Sequence, residues 1–505
     1  MVRTYQRIAL STVLLCLAPS AQAGDWVTFA NESHQRLISD VGIGLQDPRE
    51  KDYSWGDIDQ DGDIDLIVVR KLVGTNSIGY RNVLFMNEGI AEGHKINGVL
   101  VDRSNMIPGF FNLTNDRDAA LADLDGDGWL DIVTATACNG CAPNAGLLPR
   151  IYMNQGSVEG VWQGFVLEQV RMPSFPEVPN FCGVAVGDVT GNGAPDIYFT
   201  DYNQDMEDRL LINNGIGFFT DQTAARVSTL LTSSSFAVHA VIIDINQDGV
   251  NDIIKNSGLG PYDFKISYND PDVEGVFPQS DVQIVCTCTD YFVAVDDLNN
   301  DGRLDMIEAD DASDRYYLNQ GNLANGKVNW HEIFLPNSTG GFDNNTVIAD
   351  LDNDGWKDIL ITDVDVDLPS CDQRLDIHHN QGNAPNVTFV RDLGSLPDPP
   401  IGGGTALNGV HDIAVFDIDG DCWLDLIIGN CTGTTIWINQ GPGSICKATC
   451  DGDIDGDDTV NTSDLLAMFA AWGHQGGGGP ADIDGNGTVN TADLLLLFAN
   501  WGPCV

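Results

Sequence analysis

Residues 57–65 read DIDQDGDID, and this pattern decides the fold because the chain carries it seven times. Each copy has Asp first, an oxygen-bearing side chain at positions three and five, and Asp again at position nine. The copies start 66, 65, 56, 53, 53 and 67 residues apart, at Asp57, Asp123, Asp188, Asp244, Asp297, Asp350 and Asp417. A long repeat with variable insertions is typical of β-propeller blades rather than of helical solenoids, whose units are shorter.

The oxygen spacing within each copy indicates a site for a hard cation. Calcium takes about six to eight oxygen ligands, and a tight loop can supply them from positions one, three and five, a carbonyl at seven and a closing carboxylate. Magnesium requires a stricter octahedron with retained water, so Ca²⁺ is the predicted ion. Position six is Gly in six copies, which permits a positive φ, whereas Cys422 occupies it in the seventh and puts the metal affinity of that loop in doubt.

Seven propeller sites are therefore expected, each with five ligand positions. The seventh position of each loop acts through its backbone carbonyl and the ninth closes the cage. The predicted ligands are Asp57, Asp59, Asp61, Asp63, Asp65; Asp123, Asp125, Asp127, Trp129, Asp131; Asp188, Thr190, Asn192, Ala194, Asp196; Asp244, Asn246, Asp248, Val250, Asp252; Asp297, Asn299, Asp301, Arg303, Asp305; Asp350, Asp352, Asp354, Trp356, Asp358; and Asp417, Asp419, Asp421, Trp423, Asp425.

Strand signals flank each loop, with an apolar run before it and a β-rich run such as Leu66-Ile67-Val68-Val69 after it. A hairpin around each ion is therefore predicted. A further strand ends in an Asn that has Gly two positions later in six repeats, at Asn87, Asn154, Asn213, Asn319, Asn380 and Asn439. In the fourth repeat, Asn269 is followed by Pro271, so its turn is expected to differ.

With these repeats laid out, residues 25 to 441 resemble the FG-GAP or VCBS repeat family, which includes the integrin α-subunit propeller. The resemblance implies a seven-bladed, mainly β propeller. It also implies that each cation loop joins the first two strands of a blade, on the face opposite the usual ligand face.

A misplaced strand signal indicates how the ring closes. Gly217-Phe218-Phe219-Thr220-Asp221 follows the third repeat's Asn turn as an outer strand, whereas the similar stretch Trp26 to Asn31 precedes every loop. No such strand follows Asn439. The N-terminal strand is therefore predicted to complete the seventh blade, which removes an exposed sheet edge.

From Cys450 the composition changes, and two loops with EF-hand spacing follow 29 residues apart, DIDGDDTVNTSD from Asp453 and DIDGNGTVNTAD from Asp482. An apolar helical run follows each loop. Two further Ca²⁺ sites are predicted, about nine in all, with ligands Asp453, Asp455, Asp457, Thr459 through its carbonyl, Asn461 and Asp464, and Asp482, Asp484, Asn486, Thr488, Asn490 and Asp493.

This duplicated loop-helix unit resembles a type I dockerin, and Trp501-Gly502-Pro503-Cys504 is similar to the end of GC-type dockerins. The resemblance implies a small α-helical, EF-hand-like module that binds a cohesin-like or other surface receptor. It places partner recognition at Thr462, Ser463, Thr491 and Ala492. Asp458 stands where the first loop should have Gly, which implies a weaker site. A calcium-stabilised cap without a partner is the alternative.

The N-terminus has the features of a secretory signal peptide. Arg3 and Arg7 precede an apolar run, and Ala21-Gln22-Ala23 has the form of a cleavage site, so cleavage is predicted after Ala23. The predicted domains are a signal peptide over 1–23, the propeller over 24–445 and the dockerin-like module over 446–505. The predicted location is extracellular or at the cell surface, without membrane insertion.

The formal net charge of −50 excludes nucleic acid and anionic lipid as plausible partners and calls for bound cations. Disorder is disfavoured because 43% of the residues are hydrophobic. A zinc site built from Cys138, Cys141, Cys286 and Cys288 is also disfavoured, since no His spacing accompanies them.

The sequence favours a binding or adhesion protein over an enzyme, because no catalytic triad or glycosidase signature stands out. A glycan or protein ligand is expected near the channel mouth, where the innermost strands should begin. The candidate ligand-binding residues are Asp52, Asp118, His239, Asn345, His411 and Asp412. Polar residues lining a wet channel are the alternative for these positions. A dockerin-borne enzyme of polysaccharide catabolism and a structural envelope protein are the alternative functions.

Overall fold

The computed structural model contains a seven-bladed β-propeller and a small helical module that follows it in sequence. It divides into two compact units, residues 1–419 with 424–440, and residues 420–423 with 441–505. The signal-peptide prediction falls outside the described residues. The structure describes residues 26–71, 79–137, 148–175, 179–202, 207–233, 237–257, 264–288, 290–310, 313–338, 343–363, 375–392, 396, 409–441, 454, 459–460, 462–472, 481, 483, 489–499 and 502–503.

Each blade is an antiparallel sheet in which consecutive strands pair, from the innermost strand outward. Blades 1 to 3 comprise Glu50–Gly56, Asp65–Lys71, Val83–Glu88 and Val99–Asp102; Asp116–Ala122, Asp131–Thr136, Arg150–Asn154 and Phe165–Leu167; and Phe181–Gly187, Asp196–Asp201, Arg209–Asn213 and Phe219–Asp221. Blades 4 to 6 comprise Ala237–Ile243, Asp252–Ser257, Phe264–Ser267 and Val282–Cys286; Asp290–Asp296, Asp305–Asp310, Arg315–Asn322 and Val328–Phe334; and Asp343–Ala349, Asp358–Asp363, Asp376–Asn380 and Phe389–Asp392.

Blade 7 contains Val410–Phe416, Asp425–Asn430 and Gly433–Asn439, and its outer strand is the N-terminal strand Phe29–Asn31. Phe29 lies opposite Asn439 and Asn31 opposite Trp437 in an antiparallel register. The predicted closure is thus confirmed, although the paired strand begins at Phe29 rather than at Trp26. Inner strands of adjacent blades contact one another all round the ring, including blade 7 with blade 1.

The core lies between blades, because each sheet buries both faces against its neighbours. Leu66, Ile67, Val68 and Val69 of one second strand are each at most 2% exposed, so both faces of this strand are covered. This explains why the second strands read as continuous apolar runs instead of alternating apolar and polar residues.

Shorter elements decorate the blades. Leu37–Ile38 pairs in parallel with Val99–Asp102, and Ser157–Val158 forms a small hairpin with Val161–Trp162. The short helices of the propeller are Ser33–Arg36, Thr223–Arg226 and Thr229–Thr232, and its 3₁₀ turns are Val41–Ile43, Ser104–Met106, Gln169–Arg171 and Gln279–Asp281.

The C-terminal unit contains two helices, Thr462–Ala471 and Thr491–Ala499, and a short pairing of Thr459–Val460 with Gly502–Pro503. Its buried core consists of Val460 from the first short strand, Met468 and Leu497 from the two helices, and Ala481 and Val489 from the segment between the helices. Val460 and Val489 are related by the 29-residue repeat, as are Met468 and Leu497. No helix within the described residues is long and apolar enough to cross a membrane.

Candidate metal centres

All seven propeller loops lie at the same end of their blades, between the inner and second strands. In blade 2, for example, Ala122 pairs with Asp131, so the loop 123–131 is the connection of this hairpin. The predicted position of the loops within each blade is confirmed.

The second loop illustrates how these residues form a tight turn. Both carboxylate oxygens of Asp123 accept backbone N–H groups, Oδ1 from Gly126 and Asp127 and Oδ2 from Gly128, at 2.7, 3.1 and 2.9 Å. Oδ1 of Asp127 accepts the N–H of Trp129 at 2.9 Å. Gly128 at position six has φ +91°, which a β-carbon disfavours. Carboxylates one and five therefore shape the loop and are held where a cation could bind them.

Cys422 takes the same left-handed conformation, with φ +65°, at position six of the seventh loop. Position four is left-handed as well, for instance in Gln60 at φ +60°. The chain therefore accepts non-glycine residues at both turning points, which the pattern of glycines alone did not predict.

The closing Asp at position nine is buried in every loop and bonded through both oxygens. Oδ2 of Asp131 accepts the N–H of Leu124 at 2.9 Å, and Oδ1 accepts that of Asn154 on the third strand at 2.8 Å. The same pair of bonds recurs at Asp65, Asp196, Asp252, Asp305, Asp358 and Asp425. This residue therefore ties the loop to its own blade in addition to its predicted role as a ligand.

Burial perturbs these closing carboxyls in the absence of a cation. It raises the pKa of Asp131, Asp252 and Asp425 to about 8, of Asp305 to about 7 and of Asp196 to about 6. Burial also raises the pKa of Asp65 and of Asp358 well above the ordinary range. A divalent ion beside these groups would favour the ionised form.

Carboxylate oxygens without partners point to where an ion fits. Oδ1 of Asp57, Asp59 and Asp125 is shielded from solvent and has no hydrogen-bond partner within the described part of the chain. Ligand oxygens of Asp57, Asp59 and Asp61 lie within 4.8 Å of one another. Burial and the neighbouring Asp61 and Asp57 raise the pKa of Asp59 to about 7. The donors in the first loop are thus hard oxygens, clustered and uncompensated, and they fit Ca²⁺.

Cationic side chains approach the third position of two other loops. Arg36 Nη2 lies 2.9 Å from Oδ2 of Asp419, and Arg171 Nη2 lies 3.4 Å from Oδ2 of Asp125. Within the fifth loop, Arg303 pairs with Asp301. The loops therefore differ in how much negative charge is left for an ion, and the first loop keeps the most.

Hydrogen bonds join neighbouring loops around the ring. Gln60 Nε2 donates to the Gly128 carbonyl at 2.7 Å, and Gln247 Nε2 donates to that of Gly302 at 2.7 Å. Asn300 Nδ2 donates to the Gly355 carbonyl at 2.8 Å. An ion that orders one loop is thereby linked to the turn of the next.

The side chain of the recurring Asn forms a hydrogen bond to the preceding blade, in addition to its predicted place at a turn. Asn154 Nδ2 donates to the carbonyl of Ile58, at position two of the preceding blade's loop, at 2.9 Å. Asn87 completes the circle by donating to Ile418 of blade 7 at 3.0 Å. The same bond is made by Asn213 to Leu124, Asn269 to Val189, Asn319 to Ile245, Asn380 to Leu298 and Asn439 to Leu351. These seven amides connect every pair of adjacent blades.

Close packing explains why Gly stands two positions after this Asn in two of the blades. A β-carbon on Gly156 would lie 2.9 Å from Nε1 of Trp129, the seventh residue of its loop, and Gly382 faces Trp356 in the same way at 2.7 Å. In blade 4, the N–H of Gly275 donates to Oδ1 of Asn269 at 2.7 Å. The turn of the fourth repeat thus differs from the others, as expected from Pro271, and it is longer.

Most predicted dockerin ligands lie outside the described residues: Asp453, Asp455, Asp457, Asn461, Asp482, Asp484, Asn486 and Thr488, and the side chain of Asp493. Asp464 is buried, and its Oδ1 accepts the N–H of Ile454 at 2.7 Å. This bond repeats, in a different loop, the one that each closing Asp of the propeller accepts from position two.

At the opposite end of the blades, the six candidate ligand-binding residues are buried. Oδ2 of Asp118 accepts the N–H of Val184 in the next blade at 2.9 Å, and Oδ2 of Asp412 accepts that of Tyr53 at 2.6 Å. Asn345 also bonds Asp412.

The other candidates make similar contacts. Asp52 pairs with Lys71 at 3.0 Å, and the ring of His239 lies 4.9 Å from that of Phe292. Sγ of Cys431 lies 3.7 Å from Nε2 of His411, whose pKa burial lowers well below the ordinary value. The His239 contact joins inner strands of adjacent blades, whereas the contacts of Asp52 and His411 lie within one blade. Ligand binding by these six residues stays a prediction.

The cysteines described take two forms. Cys286 and Cys288 form a disulfide. Cys422 and Cys431 each take part in a disulfide, at opposite ends of the strand Asp425–Asn430, whereas Cys182 is a buried free thiol. The Cys138 and Cys141 pair lies outside the described residues.

Family models match both units of the chain. The FG-GAP-like repeat matches residues 188–254 and 297–361, and the dockerin type I domain matches residues 451–500. The two resemblances seen in the sequence are thereby confirmed. Repeats and domains of these two kinds generally bind Ca²⁺.

Curated relatives include cartilage acidic protein 1 from Mus musculus, 25% identical over 410 residues that span 74% of this chain and 56% of that protein. The proteins of the same name from Xenopus tropicalis and Homo sapiens are also 25% identical, over 412 and 411 residues, 74% of this chain and 56% and 55% of theirs. The chain thus spans about half the length of these relatives.

Two solved structures are similar at a lower level. One is an Agrocybe aegerita lectin described as recognising non-reducing terminal N-acetylglucosamine, with a TM-score of 0.42, 17% identity, and 68% and 80% of the two chains covered. The other is the Photorhabdus luminescens Tc holotoxin pore, with a TM-score of 0.35, 14% identity, 77% of this chain covered and 16% of that one.

Proposed function

We propose that this chain, which carries FG-GAP-like repeats and a type I dockerin domain, is a secreted binding protein attached to a surface or complex through its dockerin. In this proposal, about nine Ca²⁺ ions rigidify the two units and do no chemistry. The signal peptide over 1–23 and the division into 24–445 and 446–505 are part of it. The observation that carries the proposal is a pair of equivalent exposed apolar faces on the dockerin helices.

The first face begins at Thr462 and Ser463, both exposed, and continues with Leu466 and Phe469, which are 69% and 51% exposed. Residues three apart on a helix lie on one side, so Ser463, Leu466 and Phe469 form one row. Apolar side chains this exposed and this close together are typical of a surface that a partner covers.

The second face repeats the first at an interval of 29 residues. Thr491 is exposed, and Leu495 and Phe498 are 69% and 50% exposed. The side chain of Ala492 lies outside the described residues. The internal duplication therefore presents the same row twice, and it supports a protein partner of the cohesin kind, since dockerin domains bind cohesins.

Charge at these faces is expected to abolish partner binding. The full chain with Leu466→Glu, Phe469→Glu, Leu495→Glu and Phe498→Glu should bind a recombinant cohesin domain from the same source at least ~30-fold more weakly, because buried apolar anchors contribute about 2 kcal/mol or more each. Replacement at one face alone should weaken binding only slightly, because the second face is intact. Isothermal titration calorimetry in Ca²⁺ measures both effects.

Val273→Glu provides the matched control, because Val273 is an equally exposed apolar residue, 56% exposed, on the propeller. It should leave cohesin binding unchanged. Undiminished binding by the fourfold variant would contradict the proposed faces, and the absence of any cohesin that binds the native chain would favour the cap interpretation.

The propeller ligand is proposed to be a glycan or a protein. Glycan and protein arrays with the full chain, with and without chelator, test this role. Hydrolysis of a polysaccharide in a parallel screen would instead support the alternative of a dockerin-borne enzyme, and cohesin binding without any propeller ligand would support the structural envelope protein.

A further inference from the structure

The sixth propeller loop has a neighbour that the other six lack. His379 directly precedes Asn380 on the third strand of blade 6. The residues at the corresponding position of the other blades are Met86, Met153, Ile212, Tyr268, Leu318 and Ile438. Blade 6 alone therefore brings an imidazole to the strand position beside a cation loop.

The imidazole nitrogen faces the carboxylates of its own loop. Nε2 of His379 lies 3.3 Å from Oδ2 of Asp352, the third residue of the loop. One ligand atom each of His379, Asp352 and Asp354 lies within 4.8 Å of the other two. Asp352 also belongs to a second such group, with Asp350 and Asp358. One nitrogen and several oxygens therefore converge on the sixth loop.

His379 Nε2 and Asp352 Oδ2 are close enough for a hydrogen bond, but they do not form one. Nε2 of His379 is shielded from solvent and has no hydrogen-bond partner among the described residues. Two ligand atoms on a tetrahedral Zn²⁺, at about 2.05 Å each, would be about 3.3 Å apart. The spacing of the nitrogen and the oxygen therefore matches two ligands of one small ion.

An aromatic stack holds the ring in place. The Trp26 side chain lies face to face with His379, with ring centroids 3.9 Å apart and an interplanar angle of 26°. Trp26 precedes the closing strand Phe29–Asn31, so the segment that closes the ring also orients the imidazole. Loss of the stack should weaken metal binding without removing a ligand, which makes Trp26 a positioning residue.

We propose that the sixth loop is a mixed site that selects a transition metal ion such as Zn²⁺ over Ca²⁺, with His379 Nε2, Asp352 and Asp354 as ligands. Imidazole nitrogen suits Zn²⁺, Co²⁺, Ni²⁺ and Cu²⁺, whereas Ca²⁺ prefers oxygen ligands throughout. The proposal rests on the proposed role of the loops as cation sites and adds a different ion to one of them.

Cobalt binding in excess calcium tests the proposal. The full chain, stripped of metal and returned to millimolar Ca²⁺, should bind one Co²⁺ with visible absorption bands, and one Zn²⁺ should displace it. His379→Phe keeps the aromatic stack but removes the nitrogen. It should lower the Co²⁺ affinity at least tenfold, since loss of even an outer-shell partner costs about 10–100-fold.

His331→Phe is the matched control, because His331 is exposed on the outer strand of blade 5. It should leave the Co²⁺ spectrum unchanged. His379→Gln is a second variant that removes the imidazole nitrogen. An unchanged melting temperature in Ca²⁺ shows that His379→Phe and His379→Gln both fold. Equal Co²⁺ binding by the native chain and His379→Phe, or no Co²⁺ binding by the native chain, would overturn the proposal. The Ca²⁺ content of the same samples reports separately on the other loops.

Discussion

Chelation by EDTA is expected to lower the melting temperature of the propeller by on the order of 10–20 °C. Each ion bound at a hundred times its dissociation constant stabilises the folded state by about 2.7 kcal/mol. For a domain of roughly 400 residues, 1 kcal/mol corresponds to about 1 °C, so the loss of several ions adds up to this shift. Differential scanning calorimetry of the full chain in millimolar Ca²⁺ and in EDTA measures it.

The decrease in melting temperature caused by EDTA should be larger at higher pH. In the chelated protein, burial raises the pKa of closing carboxyls such as Asp196, Asp305 and Asp131 to about 6, 7 and 8. A carboxyl whose folded pKa lies above its unfolded pKa favours folding at low pH, and that stability is lost as the pH rises through the folded value. The chelated chain should therefore melt at a lower temperature at pH 8.5 than at pH 5, whereas the Ca²⁺-loaded chain should change less.

Readdition of excess Ca²⁺ should restore the original melting temperature, and K⁺ at the same ionic strength should not. A melting temperature that ignores EDTA at every pH would contradict a structural role for the ions.

Asp131→Ala is expected to be among the most destabilising single substitutions in the propeller. In Ca²⁺ it removes a ligand and also the acceptor for the N–H groups of Leu124 and Asn154, which lie in the interior. Each unsatisfied buried donor costs about 1–3 kcal/mol, so the loss of both acceptors should lower the free energy of unfolding by roughly 2–6 kcal/mol in Ca²⁺ and in EDTA alike. In Ca²⁺ the loss of the bound ion should add about 2.7 kcal/mol, which is absent in EDTA. Urea denaturation under both conditions measures the two losses.

Asp127→Ala separates the two roles of a loop carboxylate. Asp127 is an exposed predicted ligand in the same loop, and its Oδ1 accepts only a local turn bond from Trp129. Its replacement should destabilise the chain in Ca²⁺ and have little effect in EDTA. If Asp131→Ala were also neutral in EDTA, the backbone bonds to the closing Asp would contribute nothing measurable.

Much of the fold could be predicted because the decisive features are local in sequence. The nine-residue loops predicted seven hairpins, and the stretch before the first loop predicted the closing strand now observed at Phe29–Asn31. The Asn turn was recognised as a repeat, but its cross-blade bond, such as that of Asn154 to Ile58, joins residues 96 positions apart. A repeat period shows that an Asn recurs and leaves open which blade its side chain meets.

The candidate sites were harder to predict for the same reason. Asp118 and Asp412 were placed at the channel mouth because the inner strands were expected to begin there, and the sequence did not reveal that backbone N–H groups of the next inner strand bind them. His379 lies outside every nine-residue loop, so the loop pattern does not mark it as a metal ligand. Its contact with Asp352 spans 27 residues of sequence and depends on the pairing of strands, which ligand spacing within one loop does not reveal.

The metal content of the purified chain tests the central claim most directly. Native mass spectrometry, with elemental analysis of the same sample after dialysis against buffered Ca²⁺, should find about nine divalent ions per chain, seven in the propeller and two in the dockerin. A chain that folds with the same circular dichroism spectrum and holds no divalent ion would contradict the claim that the repeated carboxylates are cation sites.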